Sequence, residues 1–447
     1  MRDNVMSDAI SDTRYAIGDL DRIEAHFNAR EPSVLAFVPE EGRFDRLRRE
    51  ARVLLDRYPQ PDSRPPLFGV LVGVKDIFHV DGFVTHAGSQ LPPDLFQGAE
   101  AESVTILRNA GALILGKTIS AEFAYFAPGP TRNPHHPDHT PGGSSSGSAA
   151  AVGAELCPLA LGTQTIGSII RPAAFCGVVG YKPSYELISR AGVIPLSPSL
   201  DHVGTFTANL ADAARVASLL CRDWRLQSAP VGLEIGDWRL QSAPVGLEVG
   251  GWRPVLGIPE GAYLERASEE GLAHFRTVCR RLAVAEFEIK SLKAMPDFDD
   301  ICERHNLIVA AEAARVHAEW FARYSELYHP KTADLIRRGQ SVSEDVLARS
   351  LSGRETLRNE LTALMDEHGI DLWISPAAPG PAPKGLDSTG DPVMNLPWTH
   401  SGLPTLNLPA GYDEAGLPMG LQVAARWYAD EALLVWATEI ERVVRPV

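Results

Sequence analysis

The residue types best suited to covalent chemistry lie between Pro141 and Ser184, in PGGSSSGSAAAVGAELCPLALGTQTIGSIIRPAAFCGVVGYKPS, where two serine clusters are framed by glycine. A serine hydroxyl attacks carbonyl carbon only when a base takes its proton, and glycine lets backbone amides approach a reacting atom. The best base is Lys75, upstream in the apolar run GVLVGVKDIF. Burial disfavours an ammonium ion and can lower a lysine pKa by several units, so Lys75 in that setting can be a neutral proton acceptor. Acyl transfer also needs donors for a developing oxyanion, and the turn Thr165, Ile166, Gly167, Ser168 would present its backbone N–H groups.

Other chemistries fit less well. Gly143 to Gly147 satisfies G-x-S-x-G, which would make Ser145 the nucleophile of an α/β-hydrolase-type esterase, but the preceding HHPDHTPG cannot form the buried strand that such an elbow requires. No lysine follows a serine by three residues, which removes an S-x-x-K site. A non-catalytic nucleotide-binding module would need G-x-x-x-x-G-K-[ST] or dinucleotide-fold glycine spacing, and neither occurs. His135, His136, Asp138 and His139 resemble a metal cluster, yet Pro134, Pro137 and Pro141 make that stretch an extended loop with nothing to aim the imidazoles, so no metal is expected.

The elements that must hold these groups follow from the pattern of apolar residues. FGVLVGV, ALILGK, PLALGT and CGVVGY read as short buried strands, alternating with helical ESVTILRNA and SGSAAAVGAEL. NLADAARVASLL has helical spacing behind an asparagine cap, and long amphipathic patterns run between Glu265 and Gly369. LWISPA and MGLQVAA add strands, and DEALLVWATEIERVV closes the chain as a helix. Such alternation predicts an α/β fold.

Taken in order, GVKDIF, PGGSSSGSAAAV, GTQTIGS and RPAAFCGVVGYKPS resemble the amidase signature family of serine amidohydrolases, with weaker matches through SLDHVGTFTANLADAA, LWISPAAPGPAP, NLPWTHSGLPTLNLPAG and GLPMGLQVAA. The resemblance implies one large α/β domain, a mixed central sheet covered by helices on both faces, with the Lys–Ser–Ser site at the sheet's edge. It assigns Ser168 as nucleophile, Ser144 as a bridging serine after a cis peptide from Gly143, and Lys75 as base. It places Phe123, Tyr125 and Phe126 at an acyl-pocket wall and Trp398 to His400 in a second pocket-forming block, where His400 could select the leaving group. It also implies hydrolysis of a carbon–nitrogen bond of an amide, urea or carbamate through an acyl-enzyme, without metal or organic cofactor. Within the family, the glutaminase subunit of a transfer-RNA amidotransferase is the alternative to a stand-alone amidase. The chain departs from the common S-D-T-G-G-S-I-R pattern at Gln164, Ile166 and Ile170, with Arg171 one step late. Gln164 is expected to support the turn by neutral hydrogen bonds, whereas Ile166 would be uncomfortable at positive φ.

The 447 residues carry a formal charge of −15, which argues against a nucleic-acid surface, and 45% hydrophobic with 22% charged residues is ordinary for a globular protein. The N-terminus has no apolar signal region and no later run suffices to span a bilayer, so a cytoplasmic location is expected. Five widely spaced cysteines predict reduced thiols. The expected partner is a small amide-type substrate, with no nucleic acid and no membrane, and a homodimer stays open. Residues 1–20 read as an extension or the start of the first helix and 21–447 as the amidase domain. A fourteen-residue unit, DWRLQSAPVGLEIG at 223–236, repeats as DWRLQSAPVGLEVG at 237–250 and reads as a duplication in a surface connection.

Overall fold

The apolar runs become strands in a computed structural model that describes residues 17–224, 234–235, 238–239 and 253–445. In chain order these are β1 (Leu71–Lys75), β2 (Leu113–Thr118), β3 (Leu159–Gln164), β4 (Val179–Lys182), β5 (His202–Thr207), β6 (Glu234–Ile235), β7 (Trp238–Arg239), β8 (Leu256–Glu260), β9 (Ile289–Lys293), β10 (Leu372–Pro376), β11 (Thr405–Tyr412) and β12 (Pro418–Ala424). Ten of them form one sheet in the order β2-β1-β3-β5-β4-β11-β12-β10-β8-β9, and β6 pairs with β7 alone. Pairing is parallel at both ends of the large sheet, among β2, β1 and β3 and among β10, β8 and β9. It is antiparallel through the middle, which makes the sheet mixed.

Both faces of the sheet are buried, as the continuous apolar runs require. Val72, Val74, Ile114, Leu159 and Leu161 join one core with Val104 and Leu107 of helix Glu102–Asn109 and Val216 of helix Leu210–Leu220. Leu71, Leu113, Leu115 and Ala160 join another, with Phe27 of helix Leu20–Val34, Leu47 of helix Arg43–Arg57 and the alanines of helix Ser146–Gly153. Successive strand residues face opposite sides, so this division places helices on both faces.

The expected cap forms: Asn209 accepts a hydrogen bond from the Asp212 amide at 2.9 Å, and helix Asp430–Val444 matches the predicted closing segment. The amphipathic region after Glu265 resolves into helices Glu269–Val284, Phe298–Val316, Ala318–Tyr324, Pro330–Gln340 and Glu344–His368, interrupted by β9. The apolar pattern does not single out β5 to β9 or β11, and β9, IKSLK, holds two lysines and no fully buried position, which hides its alternation. The duplicated segment falls outside the described residues except for Asp223, Trp224, β6 and β7. Among the described residues no helix is long and apolar enough to cross a membrane.

Candidate active site

Lys75 closes β1 and Gln164 closes β3, and these two parallel neighbours both lie inside the sheet. The site therefore sits at strand ends and not on an edge strand, which corrects one reading of the expected position at the sheet's edge. Ends of parallel strands offer backbone groups that leave the ladder, so chain segments can converge there.

Lys75 is fully buried, and its Nζ lies 2.8 Å from Ser144 Oγ and 2.7 Å from Thr163 Oγ1. Burial drives its pKa well below the ordinary 10.5, against a smaller opposing pull from the Asp201 charge. The Gly143–Ser144 peptide is cis. Ser144 is 1% exposed and Ser168 6%, so the expected nucleophile is the most accessible of the three.

The other serines of the first cluster are occupied. Ser145 Oγ donates to the Thr163 carbonyl at 3.1 Å and accepts from the Thr163 amide at 3.2 Å. Ser146 Oγ donates to the Gly142 carbonyl at 2.7 Å, and Ser148 Oγ to the Leu161 carbonyl at 2.8 Å. A helix Ser146–Gly153 begins directly after Ser145, with no strand before it, so the elbow geometry for a Ser145 nucleophile is missing.

Around Ser168 the departures from the common pattern form one hydrogen-bonded unit. Gln164 Oε1 accepts from the amides of Ile169 (2.8 Å) and Ile170 (3.0 Å), while its Nε2 donates to Thr399 Oγ1 at 2.9 Å. Thr399 in turn donates to the Ile166 carbonyl at 2.6 Å. A neutral amide thus supports the turn as expected. Ile166 is not among the residues with positive φ, so the anticipated strain is absent; its side chain packs with Leu196 and Leu200. Among the described residues no protein acceptor takes the amides of Ile166, Gly167 or Ser168, which leaves them as free donors for an oxyanion. A Cβ on Gly167 would lie 2.5 Å from Asn395 Oδ1 and 2.8 Å from Pro392, so only glycine fits there.

Two supporting residues escaped the sequence reading. Asp201, buried and with its pKa pushed up to about 6 by desolvation, accepts from Thr165 Oγ1 at 2.5 Å and from the amides of Leu196 and Ser197. Nothing near SLDHVG marks it as more than a turn carboxylate, because the group it steadies is distant in sequence. Thr163 could have been found from strand register: Val74 pairs with Leu161, which sets Lys75 beside the end of β3. Arg171, displaced by one position, buries its guanidinium and donates through Nη2 to the Gly143 carbonyl at 2.6 Å and to Thr389 Oγ1 at 3.1 Å.

The expected pocket residues divide. Tyr125 and Phe126 line an open cleft. Phe123 does not: it is 1% exposed and packs among Phe96, His317, Trp320 and Tyr328, backing the wall from behind. Trp398 is buried too, donating through Nε1 to Tyr263 Oη at 2.9 Å. His400 is fully buried, with its pKa pushed down to about 2 by desolvation, beside His305. Direct selection of a leaving group by an imidazole with no exposed surface is therefore corrected to a packing role for His400. His135 donates through Nε2 to the Cys176 carbonyl at 2.9 Å, and His136 packs edge-on against His139.

A mixed α/β sheet with a buried lysine bonded to one serine, and a glycine turn that carries a second serine, is the arrangement expected of a hydrolase of carbon–nitrogen bonds. The amidase family model matches residues 33–434, and the chain belongs to the amidase signature family. Its relatives include the glutamyl-tRNA(Gln) amidotransferase A-subunit of Thermus thermophilus, 35% identical with 87% of each chain covered. The corresponding subunit of Synechococcus sp. (strain WH7803) is 30% identical, covering 94% of this chain and 92% of that one. Among solved structures, an amidase crystal structure superimposes with a TM-score of 0.81 at 31% identity, covering 97% and 96% of the two chains. A chain of a vestigial protein complex, said to reveal the evolutionary origins of an s-triazine catabolic enzyme, gives 0.81 at 27% identity over 96% and 95%.

Proposed function

We propose that the protein is a stand-alone amidase in which Lys75, Ser144 and Ser168 act in line. The observation that carries this is the 2.8 Å contact between Lys75 Nζ and Ser144 Oγ in a fully buried setting that favours the neutral amine. Lys75 takes the Ser144 proton as Ser144 takes that of Ser168, and Ser168 Oγ bonds to the carbonyl carbon while the π pair moves to oxygen. The free amides of the Ile166–Ser168 turn receive that oxyanion, and loss of one such donor typically costs about 10²–10³ in rate. Collapse breaks the C–N bond, and the proton held on Lys75 returns through Ser144 to the departing amine, which would leave poorly as an anion. Water repeats the sequence on the acyl-enzyme, releasing the acid and restoring Ser168.

The test is trapping: incubation with a panel of amides, ureas and carbamates should leave an acyl mass on Ser168, and Ser168→Ala should lose both adduct and turnover. An adduct on Ser145 instead would overturn the assignment. A second reading, the glutaminase subunit of an amidotransferase, is favoured by the names of the 30% and 35% identical relatives. Ammonia release from glutamine, coupled to ATP only when a second subunit is added, would replace the first reading with this one. The unusual turn TQTIGSII and the duplicated segment favour the stand-alone enzyme and a specialised, xenobiotic-type substrate.

A further inference from the structure

The cleft lined by Tyr125 and Phe126 has a volume of about 650 Å³, and its remaining walls include Lys331, Asp334, Arg338 and Thr389. Two of its walls are continuations of segments that touch the site. Four residues before Tyr125, the Ala121 amide donates to the Ser144 carbonyl at 3.0 Å. Thr389 shares Arg171 Nη2 with the Gly143 carbonyl, and a few residues on Pro392 and Asn395 press against Gly167. One wall of the cleft, Thr389, therefore lies beside Gly143, the residue before Ser144.

Its charge is opposite to that of the molecule. On a chain with a formal charge of −15, Lys331, Arg337 and Arg338 face one carboxylate, Asp334, which is already paired with Arg337 at 3.2 Å. Lys331 Nζ donates to the carbonyls of Phe126 (3.3 Å) and Asp387 (2.9 Å), and Arg338 Nη2 to Tyr125 Oη (3.3 Å). Among the described residues neither cation has a carboxylate partner. The helix that carries them, Pro330–Gln340, is held firmly: a Cβ on Gly339 would run into the Ala310 carbonyl of helix Phe298–Val316. Tyr125 and Phe126, with ring centroids 4.6 Å apart, supply an apolar surface next to these charges.

We propose that this cleft binds the non-reacting end of the substrate, and that the substrate is an amide whose acyl part carries a carboxylate on a flat, apolar body. The body lies against Tyr125 and Phe126, and the carboxylate meets Arg338 and Lys331. This rests on the reading of Ser168 as nucleophile for its orientation, but its binding arm does not.

Two probes of matched shape separate the effects: 4-carbamoylbenzoate, which carries the charge, and 4-methylbenzamide, which does not. For the protein as isolated, kcat/KM should favour the carboxylate probe by roughly 2–10-fold, the range for two ion pairs to exposed cations. Arg338→Gln and Lys331→Gln should each bring that ratio toward one, as should added salt. In parallel, calorimetry on the Ser168→Ala protein should show the carboxylate probe binding more tightly than the neutral one, with the preference reduced by Arg338→Gln. A ratio at or below one with equal binding of both probes overturns the charge assignment and leaves the amidase reading intact. Charge-selective binding to Ser168→Ala protein with no turnover of either amide does the reverse. Absence of both binding and turnover overturns the proposal.

Discussion

Lys75 and Lys182 are both fully buried lysines at the ends of strands in one sheet, yet only one has partners that permit chemistry. Lys182 donates to the carbonyls of Leu403 (2.6 Å) and Pro183 (3.1 Å), and its pKa is pushed down to about 7 by burial. Carbonyl oxygens only accept, so Lys182 must always donate and its role is to tie β4 to the segment before β11. Among the described residues Lys75 hydrogen-bonds only to hydroxyls, those of Ser144 and Thr163, and a hydroxyl can donate as well as accept. A third lysine, Lys117, is held at 2.9 Å by the Asp76 carboxylate, which opposes loss of its proton. Burial alone does not make a base; burial against groups that can hand over a proton does.

The largest effect that tests this contrast comes from removing each amine. Lys75→Ala should lower kcat/KM by about 10²–10⁴, the usual worth of positioned acid–base catalysis. Lys182→Met should keep turnover per folded molecule but lose about 1–3 kcal/mol of stability in denaturant titration, because two buried carbonyls lose their donor. Equal catalytic losses in the two variants would erase the distinction.

The same comparison applies within the serine cluster. Ser144→Ala should be as damaged in turnover as the lysine variant. Ser145→Ala should retain most activity and lose about 1 kcal/mol, since its hydroxyl only braces the Thr163 backbone. A dead Ser145→Ala protein that still folds would revive the elbow reading.

Stability against pH gives a smaller signal with a defined sign. The Lys75 pKa is lowered on folding, so between the folded value and 10.5 the unfolded chain holds a proton that the native protein lacks. Native stability therefore rises with pH across that window. Lys75→Met should be more stable than the parent, and its advantage in thermal melts should shrink as pH approaches 10.5. A pH-independent difference would mean that Lys75 is buried as the ammonium.

The smallest shift is expected for Asp201→Asn. Its carboxylate raises the Lys75 pKa, so removing the charge while keeping the Thr165 hydrogen bond should move the acid limb of kcat/KM to lower pH. A limb that moves upward would show that Asp201 acts on the turn and not on Lys75.

The serine turn and its lysine were legible because each lies in a short contiguous motif beside an apolar strand, and the strands β1 to β4 followed from runs buried on both faces. The pocket was less legible. Phe123 and Tyr125 are two residues apart in one motif, but Phe123 takes a positive φ of 44° that turns it into the aromatic cluster while Tyr125 reaches the cleft. No local pattern announces that turn, because what stabilises it is packing against Trp320 and Tyr328 from far along the chain.

The sequence by itself determined the chemistry available: an amine in an apolar strand, two kinds of serine, a glycine at Gly167 beside the second of them, and a glutamine where charge is usual. The tertiary structure decided which groups meet. It set Lys75 beside Ser144 and Thr163, closed Ser145 against a strand backbone, buried His400, and brought Lys331 and Arg338 to the cleft beside Tyr125. The physical reason is that proton transfer and charge recognition act over a few ångströms between residues dozens to hundreds of positions apart, and only the packed sheet and helices fix those distances.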